Sequence, residues 1–183
     1  MTVLTIGFLE LNSIARGVEA ADSMLKAADV RLLFARPTCP GKYNVLVAGD
    51  VAAVTAAVEA GVETGRQAVV EQLVIPRIHP QVIHAVNLSA MPERAGAVGV
   101  MEYFSITGAI LGADDAVKAA EVELVDVRLG TGIGGKSFVV LTGDTSAVSH
   151  AVVSGSAKAA ADGMLIDTAV IPNPAPGLLE SLL

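Results

Sequence analysis

The most constraining feature of this 183-residue sequence is an internal repeat. Gly7-Phe8-Leu9-Glu10 with Ser13-Ile14 recurs as Gly99-Val100-Met101-Glu102 with Ser105-Ile106. Later matches are Lys26-Ala27-Ala28 with Lys118-Ala119-Ala120, Gly41-Lys42 with Gly135-Lys136, Gly49-Asp50 with Gly143-Asp144, and Ile75-Pro76 with Ile171-Pro172. A repeat of this length indicates a duplicated structural unit. We therefore predict two domains, residues 1–90 and 91–183.

Each copy has the pattern of a small α+β domain. Residues 2–11 are predicted to form a strand, and Ser13 is a candidate cap for the helix that follows. Asp50 is predicted to cap the second helix. The packed faces of the two helices are predicted to carry Ile14, Val18, Ala21, Met24, Leu25 and Ala28, and Val51, Val54, Val58 and Val62. The predicted order is strand, helix, strand, strand, helix, strand, with both helices on one face of a ferredoxin-like sheet.

Composition limits the class of protein. Hydrophobic residues make up 52% and aromatic residues only 3%, which favours thin layers whose outer faces bury against other subunits. No apolar run is long enough to span a membrane, and the N-terminus lacks a basic signal region, so we expect a cytoplasmic protein. The net charge of −7 and the lack of basic runs argue against nucleic-acid binding.

The segments that follow each copy are less regular. Residues 79–86 are predicted to form a short helix, and residues 87–96 are predicted to be a linker. After Ile171 the chain is rich in proline, and its apolar end, residues 178–183, is expected to dock on a neighbouring molecule.

The only cysteine, Cys39, lies in the turn-forming segment Arg36-Pro37-Thr38-Cys39-Pro40-Gly41-Lys42. The prolines and the glycine favour a stiff hairpin tip. One cysteine cannot hold a zinc ion or an iron–sulfur cluster alone, but three chains on a threefold axis would supply three thiolates. The alternative is an unpaired cysteine that packs as a small hydrophobic residue.

These residues together resemble the bacterial microcompartment shell domain. The resemblance rests on Gly7-Phe8-Leu9-Glu10 with Ser13 to Gly17, on the Lys26-Ala27-Ala28 helix end, and on Gly41-Lys42 followed by Gly49-Asp50. Because the domain occurs twice across nearly the whole chain, the sequence resembles the tandem-domain (BMC-T) shell proteins. The resemblance implies a flat, pseudohexameric homotrimer that tiles with other shell proteins around a cytoplasmic enzyme cargo, with enclosed redox enzymes as further candidate partners.

The resemblance also implies site residues. In a relative with the same Cys-Pro-Gly-Lys loop, three copies of the cysteine ligate one 4Fe-4S cluster per trimer, and that role falls on Cys39 here. Thr38, Pro40, Gly132 and Gly134 are the expected pore-lining residues. The expected tile-edge contacts are Lys26, Lys118 and Arg77, whose counterpart in the second copy is Asn173.

Other candidate sites receive simpler interpretations. Residues 130–137 match the phosphate-binding pattern G-x-x-x-x-G-K-[ST], but we reject a nucleotide site because the chain is expected to continue as a strand. His79, His84 and His150 do not have ligand spacing. The repeated Glu10 and Glu102 are expected to hold the turn into the helix, and no catalytic constellation accompanies them.

Three hypotheses follow from the sequence. The first is a non-enzymatic shell tile whose cluster carries electrons across the shell or is itself handed through it. The second keeps the tile and replaces the cluster with a central metabolite pore lined by Thr38, Cys39 and Gly134. The third is a duplicated α+β regulator that binds a small molecule.

Overall fold

The computed structural model describes residues 4–87 and 96–181. The chain divides into two compact units, Met1–Ile78 and His79–Leu183. The domain boundary predicted between residues 90 and 91, and most of the predicted linker, lie outside the described residues.

The first unit is a four-stranded antiparallel sheet covered on one face by two helices. Its sheet has the order β2-β3-β1-β4, which is the ferredoxin-like order. The elements are β1 (Thr5–Leu11), α1 (Ile14–Ala27), β2 (Arg31–Thr38), β3 (Lys42–Gly49), α2 (Val51–Gly65) and β4 (Val69–Ile75), with a 3-10 turn at Arg66–Ala68.

The second unit repeats this arrangement and has an additional helix at its start. Its sheet has the order β6-β7-β5-β8, again antiparallel throughout. The elements are α3 (Pro80–Asn87), β5 (Ala97–Tyr103), α4 (Ile106–Ala119), β6 (Val122–Leu129), β7 (Ser137–Gly143), α5 (Thr145–Ala161), β8 (Leu165–Ile171) and α6 (Leu178–Ser181). The α+β fold predicted from the repeat is thus confirmed.

The cap predicted at Ser13 is present, and its repeat counterpart Ser105 caps the first helix of the second unit. The Ser13 hydroxyl accepts a hydrogen bond from the Arg16 amide at 3.4 Å, and the Ser105 hydroxyl accepts one from the Gly108 amide at 3.0 Å. Asp50 occupies the N-cap position of α2, but its side chain makes no capping hydrogen bond. The backbone of Asp50 is extended, and α2 begins directly after it without a side-chain cap.

Glycines allow close packing of helix on sheet and of helix on helix. A Cβ atom on Gly7 would lie 2.6 Å from a Val58 methyl group and 2.7 Å from one of Val54, so α2 packs directly on β1. In the second unit, a Cβ atom on Gly112 would lie 2.7 Å from the Gly155 carbonyl oxygen, where α4 crosses α5. Ala57 and Gly61, which lie between the valines of α2, are both buried, as this close approach requires.

The predicted packed faces of the helices are only partly correct. Val54, Val58, Ala21 and Met24 are buried, whereas Ile14, Val18, Leu25 and Val51 are exposed in the chain. A helix buries only the stripe that meets its own sheet, and these four residues lie beyond that stripe. On α4 the positions equivalent to Ile14 and Val18, which are Ile106 and Ile110, are buried.

Helix α3 packs on β6, the edge strand of the second sheet. The side-chain amide of Gln81 bonds to the strand backbone, accepting from the Leu124 amide at 2.9 Å and donating to the Val122 carbonyl at 3.3 Å. The backbone amide of His79 donates to the Asp114 carboxylate at 2.8 Å. The two Gln81 contacts satisfy backbone groups that an edge strand otherwise leaves open.

Candidate functional site

The cysteine lies at the tip of the β2–β3 hairpin. Strand β2 ends at Thr38 and β3 begins at Lys42, so Cys39, Pro40 and Gly41 form the connection. The Gly41 amide donates to the Thr38 carbonyl at 2.8 Å, and Gly41 has a φ of 105°, which glycine adopts without strain. The Cys39–Pro40 peptide bond is cis. The thiol of Cys39 is free and half-buried.

Two side-chain contacts hold the base of this hairpin. The buried Asn44 amide donates to the Thr38 hydroxyl at 2.6 Å, which fixes the residue beside the cysteine. The Lys42 ammonium lies 2.9 Å from the carboxylate of Glu10, whose side chain is only 7% exposed. Glu10 therefore braces the hairpin, and the prediction that it holds the turn into the helix is wrong. The contact joins residues on two different strands, so the local sequence around Glu10 does not predict it.

The equivalent hairpin of the second unit has a different loop. Residues 130–136 connect β6 to β7, and Gly130, Gly132, Gly134 and Gly135 all have positive φ values. A Cβ atom on Gly132 or Gly134 would meet nothing within 4 Å, so this loop has open space around it. The ion pair is kept, with Lys136 at 3.0 Å from Glu102.

The two hairpins also differ in charge compensation. Arg128 on β6 pairs with Asp126 at 2.8 Å, whereas the equivalent position to Asp126 in the first unit is Phe34. The Arg36 guanidinium therefore stacks on the Phe34 ring at 4.5 Å, and no ion pair to it is seen in residues 4–87 and 96–181. Burial lowers the pKa of Arg36 from its usual value. Asn44 and Phe34 were not recognised from the sequence, although aligning the two copies would have marked both as differences, since Phe138 and Asp126 stand at the equivalent positions.

The residues expected at the tile edge are exposed. Lys26 pairs with Asp22 at 2.6 Å, and Lys118 pairs with the buried carboxylate of Asp114. Arg77 follows β4 with a φ of 56°, an uncommon value for a residue with a side chain. Their roles as contacts between tiles stay predictions.

The rejection of a nucleotide site agrees with the fold. Ser137 begins strand β7, so no helix N-terminus follows the glycine-rich loop. Among the described residues, no group of three or more histidine, cysteine, aspartate or glutamate side chains is placed to hold a metal ion. No described helix is long and apolar enough to cross a membrane.

The donor set at Cys39 fits a cluster only if several chains share it. One chain offers one half-buried thiol on a braced tip, and the adjacent polar side chain, Thr38, is already engaged by Asn44. A cluster ligated by cysteine normally takes four thiolates, so three chains would fill all positions but one. Thr38, Cys39 and Pro40 lie together at one tip, and Gly132 and Gly134 lie in the corresponding loop of the other unit.

Comparison with known proteins identifies both units. The family model described as BMC domain matches residues 5–78 and 97–174. The chain is 44% identical, over 92% of its length and 92% of the relative's, to the bacterial microcompartment shell protein PduT of Citrobacter freundii. It is 31% identical to the carboxysome assembly protein CcmO of Synechococcus, over 97% of this chain and 68% of CcmO.

A solved structure agrees with these matches. The crystal structure of a microcompartment protein from Desulfitobacterium hafniense superposes with a TM-score of 0.94 and 49% identity, covering 98% of this chain and 99% of that one. The repeat, the two matching sheets and the sequence matches lead to the same assignment. The chain belongs to the BMC domain family and carries this domain twice in tandem.

Proposed function

We propose that three copies of this chain form a pseudohexameric tile of a bacterial microcompartment shell, with a 4Fe-4S cluster held by three Cys39 thiolates on the threefold axis. The observation that carries the proposal is the loop asymmetry within a duplicated domain. Only one of two equivalent hairpins carries a thiol, so a ring of three chains has three thiols at its centre.

Burial within the single chain supports the association of copies. Val18 on α1 is 53% exposed, whereas Ile110 at the equivalent position of α4 is fully buried at 0%. The sheet faces show the opposite difference, since Phe8 on β1 is buried and Val100 at the same position of β5 is only partly buried. The first unit thus exposes an apolar surface on α1 whose equivalent on α4 is covered. The second unit exposes an apolar surface on β5 whose equivalent on β1 is covered. Contacts between two such different surfaces generate a ring when the rotation closes.

The setting of the tile follows from the relatives. PduT is named as a bacterial microcompartment shell protein, and we place this chain likewise in a shell within the bacterial cytoplasm. Its partners are then other shell proteins, with enclosed redox enzymes as candidate partners for electron exchange. The relatives are structural proteins, which favours a tile over an enzyme or a small-molecule-binding regulator.

The chain's own contribution at the centre is to hold the thiol. The Asn44–Thr38 hydrogen bond and the Lys42–Glu10 ion pair restrict the hairpin on both sides of Cys39. A stiff tip loses little conformational freedom when it binds, which favours a preorganised ligand. A bound cluster supplies one-electron chemistry, which would let electrons cross the shell without any exchange of cofactors.

Anaerobic reconstitution tests the proposal. We expect native mass spectrometry to show a trimer and metal analysis to give about four iron atoms per three chains, the content of one [4Fe–4S] cluster. The visible absorption should bleach on reduction. Cys39→Ala should give a colourless trimer, and Cys39→Ser should lose most of the iron without losing the trimer, because the hairpin contacts do not involve the sulfur.

The second candidate function is a metabolite pore without a cluster. It is favoured by the open space around Gly132 and Gly134 in the other loop. A stable wild-type trimer with iron near zero after anaerobic reconstitution would overturn the cluster and support this pore, lined by Thr38, Cys39 and Gly134. A chain that stays monomeric would overturn the tile itself.

A further inference from the structure

The segments that follow the two copies have the same pattern. Each begins with an Ile-Pro pair at the end of the last strand, has another proline four residues after the proline of that pair, and then forms a helix. Counted from the Ile-Pro pair, Pro80 aligns with Pro176, Val82 with Leu178, and His79 with Ala175. The tail after β8 is thus a shortened version of the segment that contains α3.

In the second unit, the α3 segment covers a defined surface formed by β6 and α4. Val82 is buried. The side-chain amide of Gln81 bonds to the backbone of β6 through both its oxygen and its nitrogen. At the start of the segment, the His79 amide donates to the Asp114 carboxylate. Leu124 on β6 is only 7% exposed.

The first unit presents the same surface without this cover. Leu32 occupies the position on β2 that Leu124 occupies on β6, and it is 40% exposed. Asp22 occupies the position of Asp114, and its side chain is 60% exposed and pairs with Lys26. Ile14 and Val18 extend this exposed apolar surface along α1.

The tail that could cover this surface is itself exposed. Pro172, Asn173 and residues 175–177 are all exposed in the single chain. The backbone amide of Ala175 is available, because no hydrogen bond from it is seen among the described residues. The chain therefore carries an uncovered surface and, separately, a segment patterned to cover it.

We propose that the tail Pro172–Ser181 of one chain docks on the α1–β2 surface of a second copy, in the way that the α3 segment covers α4 and β6. The Ala175 amide then donates to the Asp22 carboxylate, and Leu178 takes the place of Val82. Gly177 stands where Gln81 stands, so the strand edge receives no side-chain amide, and apolar contact with Leu32 replaces it. The inference rests on the proposed trimer and adds the segment that links its chains.

Photocross-linking of the intact protein tests this arrangement. Leu178 is replaced by photoreactive benzoylphenylalanine, and labelled and unlabelled chains are mixed under conditions that allow exchange of subunits. We expect cross-linked peptides of mixed isotope composition that join the tail to residues 14–32. The same probe at Val153, an exposed position of α5, is the matched control and should not label residues 14–32.

The outcomes separate this inference from the proposed tile. A trimer in which the probe at Leu178 labels another surface, or only its own chain, overturns the docking and leaves the tile. A chain that stays monomeric overturns both.

A second variant pair tests the polar contact. Asp22→Ala should raise the dissociation constant of each interface between chains about tenfold, as expected for losing one hydrogen bond to a charged group at that interface. Glu19→Ala is the control, because it also removes an exposed ion pair from α1, with Arg16, and should change the constant less than about twofold. Equal effects of the two substitutions would overturn the assigned contact.

Discussion

The substitution Gly112→Ala should destabilise the protein although alanine favours helices. A Cβ atom at this position would lie 2.0 Å from the Tyr103 hydroxyl oxygen and 2.7 Å from the Gly155 carbonyl oxygen. Tyr103 is fully buried, and its hydroxyl donates to that carbonyl at 3.1 Å, so the ring has little room to move. The added methyl group must therefore displace the ring or separate α4 from α5.

The expected magnitude combines three effects. Overpacking of a dense core costs about 1–3 kcal/mol. Loss of the tyrosine hydrogen bond costs about 1 kcal/mol, and the higher helix propensity of alanine returns about 1 kcal/mol. We expect Gly112→Ala to lower the free energy of unfolding by about 1–3 kcal/mol, which is a fall in Tm of roughly 3–10 °C for a chain of this size.

The first unit provides the compensating change. It has Leu11 and Ala20 at the positions of Tyr103 and Gly112, and both residues are fully buried. The double variant Tyr103→Leu with Gly112→Ala should therefore be more stable than the sum of the single effects predicts, by about 1–2 kcal/mol. Urea unfolding of the wild type, both single variants and the double variant measures this coupling. Additive effects, or a Gly112→Ala variant as stable as the wild type, would refute the reasoning.

Three further predictions concern pH, the hairpin and the tile edge. Burial raises the pKa of Tyr103, so the contribution of the protonated hydroxyl to stability is complete below about pH 10, the usual tyrosine value, and is lost at higher pH. The urea midpoint of unfolding should therefore fall above that pH, and it should fall less steeply in the Tyr103→Phe variant. Asn44→Leu removes the bond to Thr38 and should speed hydrogen exchange at the Gly41 amide about fivefold, as expected for about 1 kcal/mol; unchanged exchange would exclude the brace. Lys26→Asp with Lys118→Asp should leave soluble trimers that form no extended sheets in electron micrographs, and persistent sheets would contradict the edge role.

The sequence predicted the fold well because the repeat doubled each local signal. Ser13 and Ser105 were both recognisable as caps, and Ile75-Pro76 and Ile171-Pro172 both marked the end of a strand. Burial was predicted less well. Periodicity indicates an apolar face but does not show whether that face meets the chain's own sheet, so Ile14 and the other exposed residues of α1 and α2 were placed inside.

The sequence predicted the position of Cys39 at the hairpin tip but not the side-chain contacts at the base of the hairpin. Local turn chemistry was sufficient to place Cys39 between two strands. The contacts of Asn44 with Thr38 and of Glu10 with Lys42 depend on strand register, which residue order alone does not specify. The covering of β6 by Gln81 depends in the same way on a helix that lies far from β6 in sequence.

The unequal hairpins have a consequence for how many sulfur atoms a ring can present. A ring built from six identical single-domain chains repeats every loop residue six times. A cysteine at the hairpin tip of such a chain therefore gives six thiols per ring and never three. Fusion of two copies removes this restriction, since the β2–β3 hairpin carries a cysteine at its tip while the β6–β7 loop, residues 130–136, carries none. Duplication thereby sets the sulfur stoichiometry of the ring independently of its size.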